Sequence, residues 1–208
     1  MPAPTIRVHG FSLSGHAHRV ELMLSLLGLP FERVEVDLVG GAHKRPDFLA
    51  KNPFGQIPVL EDGEVTLADS NAILVYLASR YDRDRRWLPQ DPLGAAQVQR
   101  WLSIAAGELA HGPAAARLVA LFGVPLDGAR ARTIAEALYT VLDAQLKARP
   151  FLVGETPTIA DVALYSYTAH APEGGVLLEP YPSVRAWLQR IEALPGFVPM
   201  PRSAVKAA

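Results

Sequence analysis

Gln56-Ile57-Pro58-Val59-Leu60-Glu61-Asp62-Gly63-Glu64-Val65-Thr66-Leu67-Ala68-Asp69-Ser70-Asn71-Ala72-Ile73 is the stretch on which the fold turns. Two short apolar runs, 57–60 and 64–67, flank Glu61-Asp62-Gly63, and an Asp-Gly pair between such runs is a strong hairpin signal. The period then changes. Asp69-Ser70 supplies capping chemistry ahead of 71–81, where Ile73, Leu74, Leu77 and Tyr81 share one helical face. An antiparallel hairpin running into a helix is therefore expected.

Upstream, residues 5–9 alternate with Ile6 and Val8 on one side, which reads as a strand, and a turn-rich loop spans 10–15. Val20, Met23, Leu24 and Leu27 then recur at helical spacing until Gly28 and Pro30 stop the helix. Phe31, Val34 and Val36 mark a second strand, and 46–51 suits a short helix after Gly40-Gly41. The order to residue 81 is strand, helix, strand, helix, two strands, helix. Downstream, 82–92 is charged and turn-rich and reads as a linker. Beyond it only helical patterns appear, at about 93–121, 129–148, 158–169 and 181–193, with Thr158-Ile159-Ala160-Asp161 resembling a capping box. The division expected is 1–81, a linker at 82–92, and a helical domain at 93–208.

The 208 residues are half hydrophobic and carry 20 Lys and Arg against 21 Asp and Glu. A formal charge of -1 provides no field to attract nucleic acid or an anionic membrane surface, so a small neutral or zwitterionic partner fits better. No cysteine is present, which removes disulfides, thiolate metal sites and any protein thiol nucleophile; sulfur chemistry must come from a bound cofactor. The apolar run 22–29 follows Glu21 directly and lacks a cleavage site, so it reads as a buried helix face, and a cytoplasmic location is expected.

Three features can carry chemistry, and each has an ordinary alternative. Ser14, between the first strand and helix, sits where free helix N–H groups favour an anion, so its hydroxyl can hold a thiolate or simply cap the helix. Pro58 opens a strand: a trans bond is the ordinary case, whereas a cis bond turns the Ile57 amide and carbonyl outward to pair with an extended peptide. Asp69-Ser70 complements an α-amino acid terminus, ammonium on Asp69 and carboxylate on Ser70 and the helix end, or else is a capping pair. His16 and His18, two apart on a helix, do not share a face and do not form a metal site. His111, His170 and the linker arginines are expected to be solvated or capping groups.

Taken together, 13–20 with Gly28-Leu29-Pro30-Phe31-Glu32, the run from Asn52 to Ile73, and Leu152-Val153-Gly154 with Thr158-Ile159-Ala160-Asp161 resemble the cytosolic glutathione transferases, in particular theta-like and bacterial members. The resemblance implies an α/β thioredoxin-like N-terminal domain of order βαβαββα and an all-α C-terminal domain that shapes a second pocket. It implies glutathione as co-substrate, with Ser14 as the catalytic hydroxyl on the sulfur. The Ile57 backbone then pairs with the cysteinyl moiety beside cis Pro58, Asp69 and Ser70 clamp the γ-glutamyl end, and His43, Lys44 and Gln56 lie near the glycyl carboxylate. It also implies a homodimer in which Phe54 plugs into the partner.

Two departures narrow the class. Members that form a mixed disulfide carry Cys where this chain has Ser14, and the maleylacetoacetate-isomerising class carries Cys where this chain has His16. What remains is a serine-type transferase acting on an electrophilic or peroxide substrate, with Ser12 or His16 as other candidate donors to the sulfur. A relative that reduces disulfides with two glutathiones and a non-catalytic scaffold of the same fold are the competing readings.

Overall fold

The computed structural model describes residues 6–203. Strand β1 (Ile6–Gly10) leads through a tight turn into α1 (Gly15–Leu26), which returns the chain as the parallel strand β2 (Phe31–Glu35). A 3-10 turn (Ala42–Lys44) and the single-turn α2 (Pro46–Leu49) precede the hairpin β3 (Val59–Asp62) and β4 (Val65–Ala68), and α3 (Ser70–Tyr81) follows. The sheet order is β2-β1-β3-β4, with β3 antiparallel to both neighbours. Successive side chains of a strand point to opposite faces, and both faces are covered here. Val59 packs with Val36 and Phe48 beside α2, whereas Leu60 joins Ile6, Val8 and the buried faces of α1 and α3.

The rest is helical: α4 (Pro92–Ala106), α5 (Ala115–Phe122), α6 (Gly128–Leu146), α7 (Ile159–Ala169) and α8 (Pro182–Glu192). Helix α7 is buried from Ile159 through Thr168, as expected of a helix without a polar face. It packs against α1, α3, α4 and α8. The main apolar core therefore runs from the sheet through α7 into the helical domain without a break. Thr158 and Asp161 form the capping box expected at its start.

Two sequence expectations shift. The hairpin strands lie later than 57–60 and 64–67, because Asp62 is drawn into β3: it is buried and accepts hydrogen bonds from the Tyr76 and Tyr81 hydroxyls at 2.7 and 2.6 Å. The helix expected over 93–121 is interrupted after Gly107, and a π-helical segment (Ala110–Ala114) containing Pro113 joins its two parts. Proline has no N–H for the helical ladder, and the wider turn accommodates that loss. Among the described residues no helix is long and apolar enough to cross a membrane.

Candidate active site

Strand register gathers the candidate residues at one edge of the sheet. Gly10 lies opposite Glu35, His9 opposite Val59, and Val59 opposite Ala68. The loops carrying Ser14, the 42–44 turn, Gln56-Ile57-Pro58 and Asp69 all leave the sheet from that edge.

Ser14 is the N-cap of α1, with extended backbone (φ -88°), and its Oγ accepts the Ala17 N–H at 3.3 Å. The capping alternative is thus realised, and it leaves the hydroxyl proton as a donor beside a helix N-terminus. Asp69 caps α3 in the same way, accepting the Ala72 N–H at 2.9 Å while remaining exposed. Its φ of 70° is uncommon for a residue with a side chain, a strain that persists where surrounding structure over-determines it. Ser70 is buried behind it and accepts from Arg19 Nη1 at 3.3 Å.

Arg19 is a residue that sequence reading missed. It is fully buried on α1, donates to the Asn71 side-chain oxygen at 2.7 Å, and leaves Nε and Nη2 without a partner among the described residues. Burial lowers its pKa to about 10, with Tyr167 and Asp69 pulling the other way, so it remains a cation at neutral pH beneath the Asp69-Ser70 pair. Nothing in its local pattern distinguishes it from a solvated helix arginine.

The 42–44 turn lies against the loop before β3. Lys44 Nζ donates to the carbonyls of Phe54 and Gly55 at 3.2 and 3.0 Å, and the buried Asn52 side chain donates to the Gln56 carbonyl at 2.7 Å. His43, Lys44 and Gln56 are thereby brought together, with His43 Nδ1 buried and unpartnered among the described residues. The Ile57–Pro58 bond is cis, the less common of the two alternatives. Ile57 stands just ahead of the ladder, whose first pair is His9 with Val59.

His16 and His18 point to different places, which accounts for the lack of a shared ligand face. The His16 ring meets Tyr167 at 4.9 Å, and its Nδ1 lies 3.5 Å from Ser70 Oγ. Burial, with help from Arg19, lowers its pKa to about 3, so it brings no charge to the site at neutral pH. His18 Nδ1 accepts from the Ser166 hydroxyl at 2.8 Å and Nε2–H donates to the Val198 carbonyl at 3.0 Å, tying α1 to α7 and to the C-terminal segment. Burial lowers the His18 pKa to about 4. The folded-state value lies below the unfolded one, so stability is fully present above about pH 6.5 and drains away as pH falls towards about 4. His18 alone contributes roughly 3 kcal/mol to that loss. Urea titrations at about pH 7 and about pH 5 should show a smaller acid loss for His18→Gln than for the parent; equal losses would refute the assignment.

The helical domain contributes Tyr167, which no local signal pointed to. A Cβ on Gly15 would lie 2.9 Å from its ring, so glycine there admits the phenol beneath the Ser14 turn. Burial raises the Tyr167 pKa, opposed by the charges of Arg19 and Arg117 and by the Ser14 side chain and His16 backbone beside the phenol. Expected to be solvated or capping, His170 is instead buried and bonded to Glu173 at 2.7 Å, because Glu173 is itself held inside by Arg117. Beside the same loop, the Phe11 and Phe122 rings lie 6.2 Å apart and Phe122 remains partly exposed, giving the site an aromatic wall.

The family models described as Glutathione S-transferase, N-terminal domain, and Glutathione S-transferase, C-terminal domain, match residues 5–79 and 128–195. Glutathione S-transferase 3 of Zea mays is 38% identical over 92% of this chain and 91% of its own length. Human glutathione S-transferase theta-2 is 36% identical over 81% of this chain and 73% of its own. A glutathione S-transferase structure from Pseudomonas fluorescens superposes with a TM-score of 0.87 at 39% identity, covering 94% of this chain and 98% of that one. With a thioredoxin-like domain, a helical partner domain and these relatives along nearly its whole length, the chain belongs to the glutathione S-transferase family.

Proposed function

We propose that this transferase binds glutathione across the gathered sheet edge and that Ser14 donates its hydroxyl proton to the glutathione sulfur, favouring the thiolate. The observation that carries this reading is the Ser14 cap: its oxygen is engaged by the Ala17 N–H, so its proton is the group that can turn from the neighbouring Tyr167 phenol to an anion at the α1 N-terminus. In the proposed pose the Ile57 backbone pairs with the cysteinyl moiety beside Pro58. Asp69 takes the γ-glutamyl ammonium, Ser70 and the α3 N-terminus take its carboxylate, and the buried Arg19 adds positive charge below them. His43, Lys44 and Gln56 serve the glycyl end. Residues 1–81 form the tripeptide site, 82–92 connect, and 93–208 complete the second pocket in the cytoplasm.

A free thiol with a pKa near 8.5 is only a few per cent ionised at neutral pH, so stabilising the thiolate by a hydrogen bond made mainly to the charged form accelerates attack. The partly exposed Phe122 beside Phe11 favours an apolar electrophile, such as an aryl halide or an organic peroxide, as second substrate. The test is an ultraviolet titration of the glutathione complex for a thiolate band below the free thiol's pKa, with turnover on both substrate types. A complex that lacks the band and is inert favours a scaffold.

Family members are typically dimers, and we assign the anchor to Phe54. It is 81% exposed, yet its backbone is held by Asn52 Oδ1 at 3.1 Å and by Lys44. A large aromatic displayed on a fixed loop suits a partner pocket, where truncation costs about 2–4 kcal/mol. Phe54→Ala should raise the dimer dissociation constant roughly thirtyfold or more, read by sedimentation over a dilution series. A mutant dimer as resistant to dilution as the parent removes Phe54 from the interface.

A further inference from the structure

Arg117, on α5, is 1% exposed and reaches out of the helical domain to the loop that bears Ser14. Its Nη1 donates to the Leu13 carbonyl at 2.6 Å, its Nε to Glu173 Oε2 at 2.6 Å, and its Nη2 to Ser203 Oγ at 3.4 Å. The second Glu173 oxygen accepts from His170 Nδ1 at 2.7 Å and from the Ser203 N–H at 3.1 Å. Behind the pair, the 3-10 turn (Ala171–Gly174) presses backbone to backbone on α5: a Cβ on Gly174 would lie 2.7 Å from the Arg117 nitrogen. The guanidinium thus has little freedom to choose another target.

Its target is one end of a peptide unit whose other end is also held. The Leu13 carbonyl and the Ser14 N–H belong to the same planar group, and that N–H donates to the Phe11 carbonyl at 2.8 Å. With both poles bonded, the plane cannot rotate about the Leu13 and Ser14 Cα atoms. The φ of Ser14, and with it the direction of its Cα–Cβ bond, is constrained at one pole by its own loop and at the other by the second domain. A buried ion pair is a poor stabiliser in itself, since desolvating both charges offsets their attraction, so packing alone does not account for Arg117 and Glu173.

We propose that Arg117 is a positioning residue for the transferase reaction, aiming the Ser14 hydroxyl at the sulfur through the Leu13–Ser14 peptide, with Glu173 and Gly174 as its mount. This rests on Ser14 being the sulfur's donor. A residue that only joins the domains changes melting temperature and leaves the bound thiol as it was. A positioning residue changes the thiol in a protein that is still folded and still binds glutathione.

Three variants decide it: Arg117→Lys, which keeps a cation beside Glu173 but lacks the fork; Arg117→Met with Glu173→Gln, which removes both charges; and Ser14→Ala. Each is read by titration of the bound thiolate, by kcat and by KM for glutathione. Arg117→Lys should raise the thiol pKa by about one unit and lower kcat about tenfold, with KM for glutathione within about twofold. Combined with Ser14→Ala it should add nothing, because both act through one hydroxyl. A parental pKa and kcat in the charge-free pair, or effects additive with Ser14→Ala, overturns the proposal while leaving Ser14 in place. If Ser14→Ala itself changes neither quantity, the Ser14 reading falls and Arg117's role with it. Should Arg117→Lys not fold, the charge-free pair, which strands no buried charge, replaces it and should show the same rise in thiol pKa and fall in kcat.

Discussion

Asp161→Ala is expected to lower stability by about 4 kcal/mol, a large share of the roughly 5–15 kcal/mol that holds a domain together. The carboxylate is 1% exposed and accepts four hydrogen bonds. Oδ1 takes the Leu152 N–H at 2.9 Å and Trp187 Nε1 at 2.9 Å, and Oδ2 takes the Thr158 N–H at 2.8 Å and its hydroxyl at 3.2 Å. Burial pushes the Asp161 carboxyl up, and these donors pull the other way. Deleting it strands buried donors on three segments at once, each costing about 1–3 kcal/mol when left unmade. Asp161→Asn should be milder, since one oxygen still accepts, but its amide group then faces donors. Because α7 carries Tyr167, which meets α1 at the site, and Ser166, which ties α7 to His18, the loss should also weaken glutathione's protection against heat. Urea unfolding with an unchanged m-value measures the effect directly. A decrease below about 1 kcal/mol for the alanine variant would show that the capping box and the Trp187 contact are dispensable.

Ser14→Ala should reduce kcat by about a hundredfold, equivalent to roughly 2.7 kcal/mol of transition-state stabilisation. Glutathione should still bind, since the remaining contacts lie on Ile57, Asp69, Ser70 and the glycyl end, but the bound thiol should titrate nearer its free value. The substitution also removes an N-cap, worth about 1 kcal/mol, so a loss of activity alone does not separate the two roles. Ser14→Gly does separate them. Glycine caps within a few tenths of a kcal/mol of serine yet has no hydroxyl, so it should be nearly as stable as the parent and as slow as the alanine variant. Thiolate absorbance against pH, together with kcat and KM for glutathione, gives the answer. If both variants keep the parental thiol pKa and turnover, Ser14 is only a cap, and Ser12 and His16 become the donors to test, since a neutral imidazole still carries one N–H.

The amino-acid sequence by itself determined the features that depend on neighbours in the chain. Alternation at Ile6 and Val8, helical spacing in α1 and α3, the Asp-Gly turn and the Thr158–Asp161 box each act within a few residues, so their signals are local. Ser14 and Asp69 were legible for the same reason, as caps at predicted helix starts. Tertiary structure decided the rest. Asp62 entered its strand because two tyrosines of α3 reach it, and the pattern over 93–121 broke at Gly107 and Pro113, where the chain passes into a π-helical segment ahead of α5. Arg19, Arg117 and Tyr167 read as ordinary helix residues, since partners such as Ser70, Leu13, Glu173 and Gly15 become neighbours only once distant segments pack together, and His170, though three residues from Glu173, is bonded to a carboxylate that Arg117 also holds from 56 positions away. A buried charge is defined by what surrounds it, and for Arg117 that surrounding comes from a loop 104 positions away.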